Sequence, residues 1–256
     1  MKILILGANG NLGSIFFKYL IKNSNYKIIT TSTGEIKYAS KFHKKINLKN
    51  NLNKIFNIIS NEKFNVIINC LFIRNENQEY DTEISKKIIT YIKRKNYQNI
   101  TWIETSSYSI SRKYKTKYIY TKIKFENFLR LNYRNNLSKL KIIRIGNFLN
   151  NHMINKLSFL STKNYQFIIS NKKNVIYVTD HQIIKYFFKH SLDNRKIDFN
   201  LVKKISLDNI FNMINKNGKK IIFLNVNEKI IVFLKYFLNH KNKNKLFNLL
   251  NLFYSK

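Results

Sequence analysis

Proline is absent from the 256 residues, cysteine occurs once, as Cys70, and glycine only six times. A single cysteine excludes an internal disulfide framework and any cysteine-built zinc cluster, and it suits a reducing, cytoplasmic setting. The five histidines (His43, His152, His181, His190 and His240) are scattered, with no cysteine or carboxylate cluster beside them, so no metal site is expected. Acidic residues are also few: 13 Asp and Glu face 47 Lys and Arg, a formal net charge of +34. Alanine appears only as Ala8 and Ala39. The depleted residues have GC-rich codons, whereas the abundant Lys, Asn, Ile, Phe and Tyr have AT-rich ones. Mutational bias therefore accounts for the charge without a polyanion partner. The lysines are also spread along the chain as a solvated surface would have them. Nucleic acid is not expected as a partner, although the charge should attract phosphorylated small molecules. Long apolar runs are missing too. The opening stretch stops at Gly7, and 221–238 is broken by Asn225, Asn227, Glu228, Lys229 and Lys235. Neither reads as a targeting segment or a membrane span.

What is present is the composition of an ordered domain, 44% hydrophobic and 14% aromatic. In the first half, short β-branched runs alternate with helical patterns, which predicts βαβ units and a parallel sheet. Strands are expected at Lys2–Leu6, Tyr26–Thr30, Val66–Cys70, Ile100–Glu104 and Leu140–Ile145. Helices are expected through Leu12, Ile15, Phe16, Tyr19 and Leu20, through Ile84, Ile88, Ile89 and Ile92, and from about Tyr118 to Leu131. The expected architecture is α/β, a Rossmann doubly wound parallel sheet over 1–150. A smaller, mostly helical substrate-side lobe over 151–256 completes it, with helices near Asp180 and over Leu207–Ile214. Without proline, boundaries in that second part carry little punctuation. Trp102 and Cys70 read as core packing inside strands.

Three of the six glycines fall in Gly7-Ala8-Asn9-Gly10-Asn11-Leu12-Gly13, between the first strand and the first helix. Gly7 permits a tight turn, Gly10 lets backbone approach a pyrophosphate, and Gly13 lets the helix pack closely on the strand. The helix N-terminus turns its positive dipole end to the phosphates. At the end of the second strand, where NAD enzymes usually carry an acid for the adenosine ribose, the chain reads Thr30-Thr31-Ser32-Thr33. Those hydroxyls and Lys37 could accept a 2′-phosphate, so NAD and NADP both stay open.

Tyr118 and Lys122 stand one helical turn apart on one face. A phenol of ordinary pKa near 10 is a poor proton carrier at neutral pH, and an adjacent cation favours its phenolate. Tyr118 then suits a general acid/base on a substrate hydroxyl or carbonyl, with Lys122 tuning it. A hydroxyl from Thr105, Ser106 or Ser107 would bond the reacting oxygen.

Together these residues resemble the extended short-chain dehydrogenase/reductases, the NAD-dependent epimerase/dehydratase family that modifies nucleotide sugars. The motifs are the Gly7–Gly13 loop, Phe64–Cys70 (similar to the strand found in dTDP-dehydrorhamnose reductases), Ser106-Ser107, Tyr118 to Lys122 with Glu126, Arg144-Ile145-Gly146-Asn147, and Tyr177–Asp180. The resemblance implies Ser107, Tyr118 and Lys122 as the catalytic set, with Lys122 also on the nicotinamide ribose. It implies cofactor contacts from Gly7, Asn9, Gly10, Asn11, Leu12, Thr31, Ser32, Asn47, Leu48, Cys70, Leu71, Tyr118, Lys122 and Ile145. It further implies a nucleotide-sugar substrate and a homodimer formed through helices near 82–95 and 118–132. The chain departs from the family where Asn47 replaces the usual Asp and Leu71-Phe72 replaces Ala-Ala. Ser107 also lies only 11 residues before Tyr118. Two other readings stay open: a catalytically degenerate NADP(H)-binding sensor or scaffold, and a carbonyl reductase that does not act on sugars.

Overall fold

The computed structural model describes residues 1–22, 25–32, 43–46, 48, 50–71, 78–112, 115–148, 165–169, 174–190, 197–206, 209 and 220–224. From the N-terminus the elements run β1 (Lys2–Leu6), α1 (Asn11–Leu20), β2 (Lys27–Ser32), β3 (His43–Lys45), α2 (Leu52–Glu62) and β4 (Val66–Asn69). They continue with α3 (Gln78–Arg94), β5 (Thr101–Ser107), α4 (Lys117–Asn132), β6 (Leu140–Ile145) and β7 (Asn147–Phe148). Then come β8 (Tyr165–Ile169), β9 (Asn174–Val178), α5 (Asp180–His190), β10 (Asp198–Leu201), β11 (Lys203–Ser206) and β12 (Lys220–Leu224). The five expected strands are present, within two or three residues of their expected ends. The helix expected over Leu207–Ile214 lies outside the described residues except for Asn209.

Seven strands form one sheet in the order β10-β6-β5-β4-β1-β2-β3, and the pairs from β3 through β5 are parallel. The order leaves β1 in both directions, the doubly wound Rossmann arrangement, and it reverses between β1 and β4. Register explains how the sheet is covered on both faces. Leu4, Ile67 and Trp102 stand side by side, and all three belong to the core beneath α2, α3 and α4. Their neighbours Ile5, Ile68 and Ile103 stand side by side on the opposite face and are equally buried. There α1 meets α5 through Phe16 and Phe187, whose ring centroids are 4.5 Å apart. Continuous apolar strands are what a sheet covered on both faces requires.

The chain divides into two compact units. One comprises Met1–Ser106, Thr121–Arg144 and Ile184–Phe199; the other comprises Ser107–Tyr120, Ile145–Ile183 and Asn200–Lys256. In the second unit β9 lies between β7 and β11, and β12 pairs with β8 in parallel. Past residue 150 the described residues include five strands, the helix α5 and the helical Asn209. Short apolar runs such as Tyr165–Ile169 and Lys220–Leu224 have no period that separates a strand from a buried helical turn. No described helix is long and apolar enough to cross a membrane.

Candidate functional site

The first unit gathers its unusual residues at the C-terminal ends of β1, β2, β4 and β5, beside the point where strand order reverses. In an open α/β sheet that is where ligands bind. Gly7 takes a positive φ of 78°, and a Cβ there would meet the Cys70 carbonyl oxygen at 2.9 Å. A Cβ at Gly13 would fall 2.2 Å from the Gly7 oxygen, so only glycine lets α1 pack this close. Gly10 is different. Its Cβ would meet only the Gly7 oxygen, at 3.4 Å, so the protein's own packing does not demand a bare backbone there. The loop is pinned from β2, as the Gly7 and Ala8 amides both donate to the Thr31 oxygen at 3.0 Å. No side chain caps α1, and its first turn carries no acid. Gly10 stands at the N-cap of a helix whose first amides no side chain caps, the kind of backbone that suits a phosphate.

Register aligns Thr31, Leu6, Asn69 and Glu104 in one row across four strands. Thr31 is fully buried, and its Oγ1 has no hydrogen-bond partner among the described residues. Beside it, His43 of β3 bonds Thr30 Oγ1 through Nδ1 at 2.8 Å and Ser32 Oγ through Nε2 at 3.2 Å. Among the described residues, the end of β2 is thus lined with hydroxyls and an imidazole and carries no acid.

At the other end of the row, Lys122 is 2% exposed and Glu104 is fully buried. Lys122 Nζ donates to Glu104 Oε1 at 3.1 Å and to the Thr105 oxygen at 2.7 Å. Asn69 Nδ2 donates to Glu104 Oε2 at 2.7 Å and to Ser85 Oγ at 3.1 Å, while Asn69 Oδ1 accepts from the Leu71 amide at 3.2 Å. Trp102 Nε1 reaches Glu104 Oε2 at 3.4 Å, so this tryptophan is both core and polar partner. Burial pushes the Glu104 carboxyl above the usual carboxylate range, against the pull of Lys122 and Asn69. Burial likewise raises the Cys70 thiol, with Glu104 adding to it.

The three candidate hydroxyls now separate. Thr105 Oγ1 donates to the Asn69 oxygen at 2.7 Å. Ser106 Oγ donates to Glu126 Oε1 at 2.6 Å, where Glu126 also takes Arg144 Nε at 3.1 Å and Nη2 at 2.5 Å. That contact holds the Arg144 guanidinium even more firmly protonated than usual. Ser107 caps the 3₁₀ turn Tyr108–Ser111, and its Oγ accepts from the Ser109 amide at 3.2 Å. Only Ser107 does not spend its hydroxyl proton among the described residues.

Of the sequence-derived residues, Gly7, Asn9 and Gly10 lie in the loop and Asn11 and Leu12 open α1, with Asn9, Gly10 and Asn11 exposed. Thr31 and Ser32 end β2, and Cys70 and Leu71 directly follow β4, the Cys70 amide donating to the Leu6 oxygen at 3.0 Å. Leu48 is 4% exposed and belongs to the hydrophobic core, which leaves it only its backbone for any ligand. Tyr118 is half-buried in the first turn of α4, four residues before Lys122. Ser107, Tyr118 and Ile145 belong to the second unit, the others to the first. Asn47, and Lys37 with its suggested 2′-phosphate role, lie outside the described residues. Sequence reasoning missed Asn69, Ser85 and Glu104, and read His43 as a structural or surface residue, which its bonds to Thr30 and Ser32 agree with. A signal existed for Glu104, because a carboxylate inside an otherwise uncharged strand is rarely idle.

No protein-family profile matches the chain, and no curated protein matches it in sequence. Solved structures do. A dTDP-glucose 4,6-dehydratase from Bacillus anthracis, solved with NAD, superposes with a TM-score of 0.69 at 13% identity, over 98% of this chain and 96% of that one. A UDP-glucuronic acid 4-epimerase from Bacillus cereus, solved with UDP-glucuronic acid and NAD, gives 0.67 at 16% identity, over 97% and 98%. A GalE-like L-threonine dehydrogenase from Cupriavidus necator gives 0.68 at 12% identity, over 88% and 86%. The chain therefore has the fold of the NAD-dependent epimerases and dehydratases, at nearly their full length.

Proposed function

We propose that the chain is an NAD(P)-dependent enzyme that reduces, epimerises or dehydrates a nucleotide-activated sugar. The observation that carries this reading is the seat at Gly10: a glycine that packing does not need, held between two that it does. The residues present fit a dinucleotide. Gly7, Asn9, Gly10, Asn11 and Leu12 would hold its pyrophosphate, and Thr31, with its orphaned buried hydroxyl, and Ser32 its adenosine ribose. Cys70, Leu71 and Ile145, with the backbone of Leu48, would line the rest. The cofactor supplies hydride transfer when bound. The chain's own residues handle the proton: Tyr118 gives or takes it at the phenol oxygen, and the Lys122 ammonium favours the phenolate while engaging the nicotinamide ribose. Ser107 is the hydroxyl with a proton left to give to the reacting oxygen, which favours it over Thr105 and Ser106. The choice of a nucleotide-sugar substrate is supported by the similar structures solved with UDP-glucuronic acid and UDP-glucose. A homodimer through helices near 82–95 and 118–132, which fall in α3 and α4, belongs to the same reading.

Titration of the purified protein with NADH and NADPH, followed by nicotinamide fluorescence, tests the reading. One nucleotide per chain is expected. Gly10→Asp should preserve the fold, since Asp is a favoured N-cap, yet weaken binding at least roughly tenfold by placing a carboxylate against the pyrophosphate. Tyr118→Phe should bind nucleotide normally and lose turnover. Absence of binding in the unaltered chain, or equal binding by Gly10→Asp, rejects the assignment.

A further inference from the structure

The Glu104–Lys122 pair asks for an explanation that packing does not supply. Both side chains lie in the interior, at 1% and 2% side-chain exposure, and burying two ions costs more desolvation than an apolar pair of equal volume. The surroundings are built for a carboxylate. Three N–H groups, from Lys122, Asn69 and Trp102, converge on the two oxygens, and among the hydrogen bonds formed there no acceptor stands ready for a carboxylic proton. The bonds also close on themselves. Lys122 holds the Thr105 carbonyl, Thr105 Oγ1 holds the Asn69 carbonyl, and the Asn69 side chain holds Glu104, Ser85 and the Leu71 amide.

We propose that Glu104 is a positioning residue: its carboxylate keeps the buried Lys122 charged and fixed in place, and through Asn69 it ties that lysine to the chain leaving β4. The proposal rests on the reading of Lys122 as the residue that tunes Tyr118 and binds the nicotinamide ribose. Among the described residues, Glu104 on β5 and Cys70 after β4 lie near Lys122, and in the sequence of α4 Tyr118 and Glu126 stand four residues before and after it. From α3, the Asp81 backbone oxygen accepts Ser85 Oγ at 3.0 Å. Glu104 is the carboxylate in direct contact with Lys122 Nζ. Removing its charge leaves a lone ammonium out of water, which releases its proton far more readily. A Lys122 that is neutral at working pH could no longer favour the phenolate.

The test is side-chain NMR of the lysines, with Lys122 assigned from Lys122→Arg, joined to NADH titrations across pH. Lys122 should titrate roughly two or more pH units lower in Glu104→Gln than in the unaltered protein. Glu104→Gln should bind NADH nearly as well as the unaltered chain at pH 6 and about tenfold more weakly at pH 9, and Glu104→Asp should restore both readings. Lys122 titrating within one unit in the two proteins overturns the proposal, as does an affinity loss that is the same at every pH. If the unaltered chain binds neither NADH nor NADPH, the cofactor reading fails, and the lysine titration still judges Glu104. If Glu104→Gln does not fold, the double variant Glu104→Leu, Lys122→Met decides. Removing both charges together should leave a folded protein melting within a few degrees of the original, and a double variant as damaged as the single one overturns the pairing.

Discussion

Tyr133 near the end of α4 is 8% exposed, and its hydroxyl is buried with no hydrogen-bond partner among the described residues. Burial alone pushes the phenol far above its usual range. Leaving a buried hydroxyl unpaired costs about 1–3 kcal/mol. Tyr133→Phe keeps the ring in the core and deletes only that oxygen, so it should raise the midpoint of thermal unfolding by a few degrees; an unchanged or lowered midpoint shows a partner for the hydroxyl. Single residues were legible only where their chemistry is local. The three glycines declare themselves because a turn and a helix start are sequence-adjacent, and Tyr118 and Lys122 because four residues make one turn. Glu104 could not be matched to Lys122 that way. They are 18 residues apart, and only the packing of α4 on β5 makes them partners.

Elements were legible in proportion to how much apolar pattern they hold. β1, β4, β5 and β6 are runs buried on both faces and stand out. β3 is His43-Lys44-Lys45, three residues with no apolar side chain, and only its pairing with Thr30–Ser32 makes it a strand. β10 is one residue longer and is recruited to β6 by its place in the sheet. The helix α2 went unread because asparagines interrupt it, although Ile55, Ile58 and Ile59 form its buried stripe, and Lys63 in the left-handed conformation ends it. Its last residue, Glu62, accepts Lys2 Nζ at 2.9 Å, tying α2 to the start of β1. That bond, with the nearby charges of Lys2, Lys27 and Lys44, holds the Glu62 carboxyl below its ordinary range. A carboxyl lowered on folding stabilises the native state above its unfolded pKa and loses that contribution as pH falls through the folded value. Unfolding measured between pH 7 and pH 3 should therefore be slightly less acid-sensitive in Glu62→Gln below pH ~4.5. The expected difference is only about 0.5 kcal/mol, because the pair is partly exposed and screened. A Glu62→Gln variant with the same acid slope means the pair contributes nothing.

For the molecule as a whole, the controlling quantity is the net charge of +34. Several of the scarce acids are already committed to cations: Glu62 to Lys2, Glu83 to Lys86, Glu104 to Lys122, Glu126 to Arg144 and Asp198 to Arg130. Most lysines are then left to repel one another, more strongly in the folded chain than in the expanded one. Screening acts on this directly, since the Debye length falls from about 30 Å at 0.01 M salt to about 10 Å at 0.1 M. The melting temperature should rise by several degrees between ~0.02 M and ~0.3 M sodium chloride, with the rise concentrated at the low end. The same measurement separates the two origins of the charge. Lysines scattered by codon bias are relieved by any salt, and a random duplex should then bind weakly and fall away as salt rises. A surface built for a polyanion would instead retain the duplex at physiological salt. The assignment of the charge to composition is lost if tight binding survives there, or if added salt leaves the melting temperature where it was.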